Sequence, residues 1–341
     1  MREESGIEPR TQPRYRGAET RSLGRSAVPV SLMGLGTAAL GGLYEHVDEA
    51  DAHAVVCRAH EAGLRYVDTA PQYGHGSAER RTGAVLRDLD RDAFTVSTKV
   101  GRLVVMRPGA AGGIFADAPP SDTVFDFSRD GVLRSLESSL DRMGLDRVDI
   151  VYLHDPDDFE DQALTIAYPA LHELRSEGVV RAIGVGMNQS RIPTRFAHET
   201  DIDAVLLAGR YTLLDRSGAD LLAAAAERRV SVVIGGVYNS GVLANPHRGA
   251  HYDYAPAARP VLQRVRRLAA VCARHDVPLK AAAVQFPLSH PAVVSVLAGV
   301  RSVVELDENL AALDHKIPPP LWDDLVAEGL LEAECSPRVL A

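Results

Sequence analysis

Short apolar runs alternate with longer amphipathic stretches along most of the chain. The runs are rich in Val, Ile and Leu, and each is short enough to form a strand buried on both faces of a parallel sheet. The pattern predicts eight strands, at residues 31–36, 66–69, 94–99, 148–154, 182–186, 204–207, 231–234 and 293–298.

The stretches between these runs carry apolar residues at three- and four-residue intervals, which is typical of helices that pack on a core. They predict helices at residues 48–62, 78–86, 131–143, 168–176, 219–228 and 303–313. Gly63, Gly144 and Gly178 each follow one of them, where a helix C-cap is expected.

Eight strand–helix units predict a (β/α)8 TIM barrel, a fold of about 250 residues. The remaining length leaves room for additional C-terminal helices and for long loops over the C-terminal face of the barrel. We therefore expect a disordered N-terminal extension at residues 1–20, a single barrel domain at 21–331 and a C-terminal tail at 332–341.

Two predicted connections are unusually long, at residues 102–126 after the third strand and 239–260 after the seventh. In a TIM barrel the loops that follow strands form the catalytic face. Both segments are therefore candidates to cover a bound ligand, and a surface insertion without function is the alternative.

Composition and charge restrict the class of protein. With 46% hydrophobic and 24% charged residues the chain resembles ordinary globular proteins, and 37 Lys+Arg against 46 Asp+Glu give a net charge of −9. A chain with this net negative charge does not attract nucleic acid or an anionic membrane electrostatically, so a small molecule is the expected partner. No stretch of about eighteen residues is continuously apolar, which excludes a membrane-spanning helix by length.

The three cysteines, Cys57, Cys272 and Cys335, are far apart and form no C-x-x-C pair. Neither a disulfide framework nor a thiolate metal site is indicated. A reducing compartment fits this usage, and the N-terminus lacks the apolar run of a secretory signal. We therefore expect a cytoplasmic protein.

Ionisable residues lie at the C-terminal ends of three consecutive predicted strands, which is where this fold places its catalytic residues. The second strand ends at Asp68 with Tyr73 in the following loop, the third ends at Lys99, and the fourth ends at His154. Each residue alone has an ordinary structural explanation, such as a helix cap or a buried ion pair. Their joint position at successive strand ends favours one functional site.

These residues carry a resemblance to a known family. Asp68, Tyr73, Lys99 and His154, in the segments RYVDTAPQYGHGSAE, STKVGR and VDIVYLHDPD, resemble the aldo-keto reductase superfamily from about residue 23 to residue 331. The segments IGVGMNQS, LLAGRYTLLD and VVIGGVYNSGVLA are similar to its D-threo-aldose 1-dehydrogenase (L-fucose dehydrogenase) branch, which oxidises a sugar hemiacetal to its lactone.

The resemblance implies a role for each of the four residues. A phenol titrates near about 10 in water, and an adjacent ammonium lowers that value. Lys99 is therefore expected to lower the pKa of Tyr73, which takes the proton from the substrate hydroxyl. Asp68 is expected to hold Lys99 in place, and His154 to donate a hydrogen bond to the substrate oxygen. No metal is implied.

The resemblance also implies a nicotinamide cofactor across the barrel mouth, without the G-x-G-x-x-G segment of a Rossmann unit. Asn188 is expected at the carboxamide, with Met187 or Gln189 as alternatives. The full set of expected cofactor-binding residues is Gly36, Thr37, Asn188, Gly299, Arg301, Ser302, Glu305, Glu308 and Asn309.

Glu305 stands where relatives devoted to NADP usually place a cation, and a carboxylate there accepts from a ribose 2′-hydroxyl and repels a 2′-phosphate. NAD is therefore the preferred cofactor. NADP remains possible because Arg301 can pair with a 2′-phosphate. A plain ion pair between Arg301 and Glu305 is the structural alternative.

Tyr44, Arg102 and Arg210 are candidates to line the pocket of a sugar substrate, with roles in the core or on the surface as alternatives. The expected enzyme is an NAD(P)-dependent sugar dehydrogenase, either a monomer or a small homo-oligomer. The alternatives are an NADPH-dependent reductase of another aldehyde or ketone, a slow nicotinamide-nucleotide sensor, and a metal-dependent barrel hydrolase. The last lacks a His-x-His pair after the first strand.

Overall fold

A computed structural model describes residues 16–110, 112–247, 250–253 and 255–337. Eight parallel strands close into a barrel in which each strand pairs with its neighbours in the chain and β8 pairs with β1. This confirms the predicted (β/α)8 barrel. The strands are Met33–Gly36 (β1), Tyr66–Asp68 (β2), Thr95–Val100 (β3), Ile150–His154 (β4), Ala182–Met187 (β5), Ala204–Ala208 (β6), Ser231–Gly235 (β7) and Val293–Gly299 (β8).

Helices surround the barrel, and those predicted from the sequence all form. In the described part of the chain the α-helices of seven or more residues are Glu49–Glu61 (α1), Ser77–Leu86 (α2), Arg129–Met143 (α3), Tyr168–Ser176 (α4), Arg191–Glu199 (α5), Ala219–Arg228 (α6), Arg259–Arg274 (α7), Leu279–Gln285 (α8), Val303–Asp314 (α9) and Pro320–Ala327 (α10). Of these, α5, α7, α8 and α10 were not among the predicted helices. Helix α3 illustrates the local signals that define helix ends. The Ser128 side chain caps its N-terminus by accepting a hydrogen bond from the backbone N–H of Gly131, and Gly144, with φ 65°, ends the helix.

The core has two layers. One lies between the strands and the surrounding helices, and the other fills the inside of the barrel with Tyr66, Ile150 and Tyr152 among its members. An antiparallel hairpin, Thr20–Leu23 with Val28–Ser31, contributes Leu23 and Val28 to this inner layer. The inner side chains therefore form a packed floor beneath the C-terminal ends of the strands, as the fold requires.

The ends of the chain differ from the sequence-based boundaries. Residues 1–15 of the expected extension and residues 338–341 of the expected tail lie outside the described residues. A strand begins at Thr20, within the segment predicted to be disordered. In the tail, Ala333–Cys335 forms a short helical turn, and Glu332 pairs with Arg216. No helix in the described part of the chain is long and apolar enough to cross a membrane.

Both long connections contain structure that periodicity did not reveal. After β3, Arg102–Met106 and Ser121–Phe125 form an antiparallel hairpin instead of an irregular loop. After β7, His251–Tyr252 pairs with Ala255–Pro256 before α7 begins at Arg259. Short exposed hairpins have few buried positions, so the apolar alternation that marks a strand is weak in them.

Helix packing around the barrel depends on one close approach that can be tested. A Cβ at Gly83 in α2 would lie 2.1 Å from the carbonyl oxygen and 2.4 Å from the Cα of Met143, at the end of α3. Alanine is normally favoured over glycine inside a helix by about 1 kcal/mol. Backbone atoms cannot yield as a flexible side chain can, so the clash is expected to outweigh this gain.

We expect Gly83→Ala to lower the free energy of unfolding by about 2 kcal/mol, as measured by urea denaturation. Ala84→Gly at the neighbouring, partly exposed position is the control, and should cost only the helix propensity of about 1 kcal/mol. A Gly83→Ala protein more stable than the wild type would contradict this packing of α2 against α3.

Candidate active site

Three of the predicted catalytic residues meet at the C-terminal rim of the barrel. Asp68 ends β2, Lys99 lies near the end of β3, and Tyr73 begins the short helical turn that follows β2. The Lys99 ammonium lies 2.8 Å from Asp68 Oδ2 and 3.1 Å from the Tyr73 hydroxyl. Parallel strands in register place their ends side by side, which is why residues distant in sequence come into contact here.

The Asp68–Lys99 ion pair is enclosed, with each residue 1% exposed. Lys99 also donates to the Thr69 carbonyl at 2.9 Å, and Ser97 donates to Asp68 Oδ1 at 2.7 Å. Burial raises the pKa of Asp68, while the Lys99 ammonium and the Ser97 hydroxyl oppose this rise. The three ammonium protons of Lys99 are thus directed at Asp68, Thr69 and Tyr73, which fixes the position of the charge.

The expected lowering of the Tyr73 pKa is not what the structure gives. Burial raises the pKa of this phenol well above its usual value, and the carboxylates of Asp68 and Asp155 raise it further, against the opposing guanidinium of Arg102. Lys99 is within hydrogen-bond distance, but the desolvation penalty of a phenolate in this enclosed site exceeds the stabilisation that one neighbouring cation provides. Tyr73 is therefore protonated at neutral pH.

His154 completes the group at the end of β4, with its ring 6.0 Å from that of Tyr73 and nearly perpendicular to it. Burial lowers the pKa of His154 well below its usual value, and the cations of Arg102 and Lys99 lower it further. The ring is therefore neutral. Its Nδ1 is buried without a hydrogen-bond partner among the described residues. A neutral imidazole in this position suits donation of an N–H to a substrate oxygen.

Arg102, one of the predicted substrate residues, lies beside this group. Its guanidinium is 2.7 Å from Asp155 Oδ2 and 4.4 Å from the centre of the Phe125 ring. Gln72 accepts from it at 3.4 Å. Sequence reasoning missed Asp155 and Phe125, although the position of Asp155 directly after His154 was a signal that could have pointed to it.

The other two predicted substrate residues lie against the loop after β7. Tyr44 stacks on His251 with ring centres 5.0 Å apart, and Arg210 pairs with Asp253 at 2.9 Å. The structure therefore places Tyr44 and Arg210 together with this loop, whereas Arg102 contacts the residue next to His154. That the three side chains line one substrate pocket stays a prediction.

The rim between β1 and β8 fits a nucleotide. Gly36 and Gly299 pair across these strands, and a Cβ at Gly299 would meet only the Gly36 carbonyl oxygen, at 3.9 Å. Next to them the Thr37 hydroxyl is fully buried and has no hydrogen-bond partner in the part of the chain that the structure describes. Open space beside a polar group without a partner is what a bound polar ligand would occupy.

The first turn of α9 is organised by a capping arrangement. The Ser302 hydroxyl accepts from the backbone N–H of Glu305 at 3.3 Å. Glu305 in turn accepts from the backbone N–H of Arg301 at 2.8 Å and from its guanidinium at 2.9 Å. Arg301 also pairs with Glu45 in the loop after β1. The ion pair weighed as the structural alternative for Arg301 and Glu305 is therefore present.

The remaining expected cofactor residues have partners within the protein. Glu308 pairs with Lys280 at 2.9 Å, and the buried Asn309 accepts from the Tyr238 hydroxyl at 3.0 Å. After β5, Asn188 is half-buried, and its neighbour Gln189 donates to Asp157 at 2.7 Å. Met187 is buried in the core. A contact of Asn188 with the nicotinamide carboxamide stays a prediction.

Comparison with known proteins decides the family. The sequence profile of the aldo/keto reductase family matches residues 32–327. The chain belongs to the aldo/keto reductase family. It is 41% identical to pyridoxal 4-dehydrogenase from Microbacterium luteolum over 93% of this chain and 99% of that protein. It is also 41% identical to D-threo-aldose 1-dehydrogenase from a Pseudomonas species, over 90% and 96%.

Solved structures of the aldo/keto reductase family agree. An aldo-keto reductase from Bacillus halodurans in its holo form superimposes with a TM-score of 0.74 at 25% identity, covering 92% of this chain and 97% of that one. Family members use a nicotinamide cofactor, and close relatives of this chain are named as dehydrogenases acting on a sugar and on pyridoxal. The chain is an oxidoreductase.

The role of Tyr73 as the proton-transferring group can be isolated by removing one oxygen atom. Tyr73→Phe is expected to lower turnover by at least about a hundred-fold, because the proton relay is lost, and to leave nucleotide affinity nearly unchanged. Turnover is followed by nicotinamide absorbance and binding by calorimetry. Tyr168→Phe is the matched control. Tyr168 lies on the outer helix α4, and its hydroxyl donates a hydrogen bond to Asp201. Full activity in Tyr73→Phe would refute this role.

Proposed function

We propose that this aldo/keto reductase oxidises a cyclic hemiacetal to its lactone, acting on an aldose of the D-threo or L-fucose type at the anomeric carbon. The observation that carries the proposal is the enclosed contact of Lys99 with both Asp68 and Tyr73, beside a neutral His154. A relative 41% identical is named for this reaction on D-threo-aldoses.

Each residue contributes a distinct step. The anomeric hydroxyl gives its proton to the Tyr73 oxygen, which Lys99 holds at 3.1 Å. His154 donates a hydrogen bond to the same substrate oxygen and so orients the C–H bond. A bound oxidised nicotinamide would supply the acceptor for the hydride that leaves this carbon. The substrate thus loses one proton and one hydride, and the C–OH becomes the lactone C=O.

The charges of the site set the pH dependence of the two directions. Because burial raises the pKa of Tyr73, the phenol is protonated at neutral pH and serves directly as the acid for carbonyl reduction. Oxidation requires the phenolate. Oxidation is therefore favoured by alkaline pH, which is the condition under which to assay it.

The surroundings of His154 support a polyhydroxylated substrate. The carboxylate of Asp155 can accept hydrogen bonds from hydroxyl groups, and the guanidinium of Arg102 can donate to them. Burial raises the pKa of Asp155, and Arg102 opposes that rise. This paired donor and acceptor next to His154 suits a ring with adjacent hydroxyls.

A second candidate substrate is pyridoxal, because a relative 41% identical is named as its dehydrogenase. Pyridoxal carries an aldehyde next to a hydroxymethyl group and so closes to a cyclic hemiacetal, the same reacting group as in an aldose. Phe125 supports it from the structure: the ring is 41% exposed beside Arg102 and packs against Phe159, with centres 5.1 Å apart. An exposed aromatic face suits a pyridine ring.

A panel assay tests the function. We expect L-fucose, D-arabinose, L-galactose, L-xylose or pyridoxal to reduce NAD at alkaline pH, with D-galactose, which has the opposite configuration at C2 and C3, as the stereochemical control. Aldose-dependent reduction supports the proposal, and reduction with pyridoxal alone assigns the second candidate. Nucleotide binding without turnover on any of these would contradict both, and would favour a reductase of another carbonyl or a slow nucleotide sensor.

We propose further that NAD is preferred over NADP. The carboxylate of Glu305 neutralises the guanidinium of Arg301, so that a 2′-phosphate arriving there would meet a compensated cation and a nearby anion. A ribose 2′-hydroxyl carries no charge and can donate to Glu305. A cytoplasmic location and a monomer or small homo-oligomer stay predictions.

Glu305→Gln tests this assignment with little change in shape. Loss of the carboxylate charge frees Arg301 to pair with a phosphate, and the ratio of kcat/KM for NADP to that for NAD is expected to rise about ten-fold. Asp307→Asn on the same helix is the control, because Asp307 pairs with Arg58 of α1 instead. An unchanged ratio in Glu305→Gln would show that the 2′-position lies elsewhere.

A further inference from the structure

A chain of buried hydroxyl groups runs from the floor of the barrel to the catalytic carboxylate. The Tyr152 hydroxyl lies 3.2 Å from that of Tyr66, which lies 3.1 Å from the Ser97 hydroxyl, which lies 2.7 Å from Asp68 Oδ1. All four residues are almost fully buried. No step of the reaction described above uses the first three.

Counting protons fixes the direction of every bond in this chain. Both oxygens of Asp68 face the Lys99 ammonium, so the carboxylate is an acceptor and Ser97 must donate to it. The one hydroxyl proton of Ser97 is then used, and Tyr66 must donate to Ser97. By the same argument Tyr152 donates to Tyr66. Three hydroxyl dipoles in series thus point their protons towards Asp68.

We propose that Ser97, Tyr66 and Tyr152 are positioning residues that keep Asp68 ionised, and thereby keep the positive charge of Lys99 on the Tyr73 hydroxyl. Burying a carboxylate in an apolar interior raises its free energy, and a proton transferred from the Lys99 ammonium to Asp68 would remove both buried charges. That transfer would leave a neutral amine beside Tyr73. Hydroxyl donors to the carboxylate oppose it.

The surroundings agree with this arrangement. Burial raises the pKa of Tyr66 well above its usual value and also raises that of Tyr152, so both hydroxyls keep the protons that they donate. Donors connected in series polarise one another, which makes the bond nearest the charge stronger than an isolated one. The floor of the barrel thus acts on the chemistry at its rim.

Five charged or titratable side chains influence the proton of Tyr73. Lys99, Asp68 and Asp155 lie on or next to the three strand ends, His154 faces the ring edge-on, and Arg102 enters from the hairpin after β3. Of these, the hydroxyl chain touches Asp68 alone. Variants in the chain therefore change the pKa of Tyr73 through the Asp68–Lys99 pair.

The test is the pH dependence of single-turnover reduction of methylglyoxal by prebound NADH or NADPH. This small reactive dicarbonyl requires no sugar recognition, so the test stands even where the proposed aldose substrate fails. Reduction needs the protonated phenol and therefore declines as Tyr73 ionises at alkaline pH. Where this decline lies above the pH at which the protein stays folded, the reverse oxidation of the product by NAD is measured instead, because it needs the phenolate and slows about ten-fold for each unit by which the pKa of Tyr73 rises. A weaker positive charge at Lys99 raises the pH of that decline.

We expect Ser97→Ala to move the decline upward by about one pH unit, because it removes a hydrogen bond to a charged group. Tyr66→Phe is expected to move it by a few tenths of a unit, and Tyr152→Phe by less. Ser97→Thr retains a hydroxyl and is expected to restore the wild-type profile. The methylglyoxal concentration that gives half of the maximal single-turnover rate should stay unchanged throughout, since none of the three residues is placed at the substrate.

Tyr168→Phe is again the matched control, because its hydroxyl also bonds a carboxylate but does so outside the barrel. It should leave the pH profile unchanged even where it lowers the melting temperature. If Tyr66→Phe and Ser97→Ala lower the melting temperature while the alkaline decline stays in place, the hydroxyl chain only supports packing and the proposal is overturned. Since Tyr66→Phe removes one buried oxygen and retains the ring, it gives a folded test even where Ser97→Ala does not.

Discussion

The Asp68–Lys99 ion pair is the interaction on which the active site depends. Two charges in an enclosed space are costly unless each has further partners, and here Ser97 and the Thr69 carbonyl supply them. The closed barrel makes this possible because β2 and β3 are paired in register, with Asp68 opposite Ser97. The ammonium is thereby fixed within reach of Tyr73, whose own position follows from the turn after β2.

The loops above the rim support one another. Phe115, in the long connection after β3, packs near the ring of Tyr73, and the same segment pairs with the loop after β1 through Leu43. The loop after β1 also contacts the loop after β7 through Tyr44 on His251, and the expected nucleotide site through Glu45 on Arg301. Residues around the proton-transferring group and residues at the expected nucleotide site are thus connected through a single loop.

Much of the fold was predictable because buried parallel strands are short continuous apolar runs. The run 148–154, for example, appears as Ile150–His154, with its polar end at the rim as expected. The N-terminal hairpin was not predictable in the same way. Its strands are four residues each, and one contains Pro29, so their burial against the barrel interior depends on contacts with segments distant in sequence.

Some residues of the candidate site could be predicted from the sequence, and others could not. Chemistry-bearing residues at successive strand ends identified Asp68, Tyr73, Lys99 and His154, and Arg102 was named as a candidate to line a sugar pocket. Phe125 could not be found from a local pattern, because its position beside Arg102 depends on the hairpin after β3, whereas Asp155 directly follows His154 in the sequence. The contacts of Tyr44 with His251 and of Arg210 with Asp253 join segments distant in sequence, so only the tertiary structure gives them.

The sequence by itself determined the order of strands and helices, the barrel and the four residues at its rim, since periodicity and strand ends are local properties of the chain. Only the tertiary structure decided the electrostatics. The pKa of Tyr73 rises instead of falling because the cost of desolvation depends on everything that surrounds the phenol. The direction of the Tyr152–Tyr66–Ser97 chain likewise depends on hydroxyl groups that three different strands bring together inside the barrel.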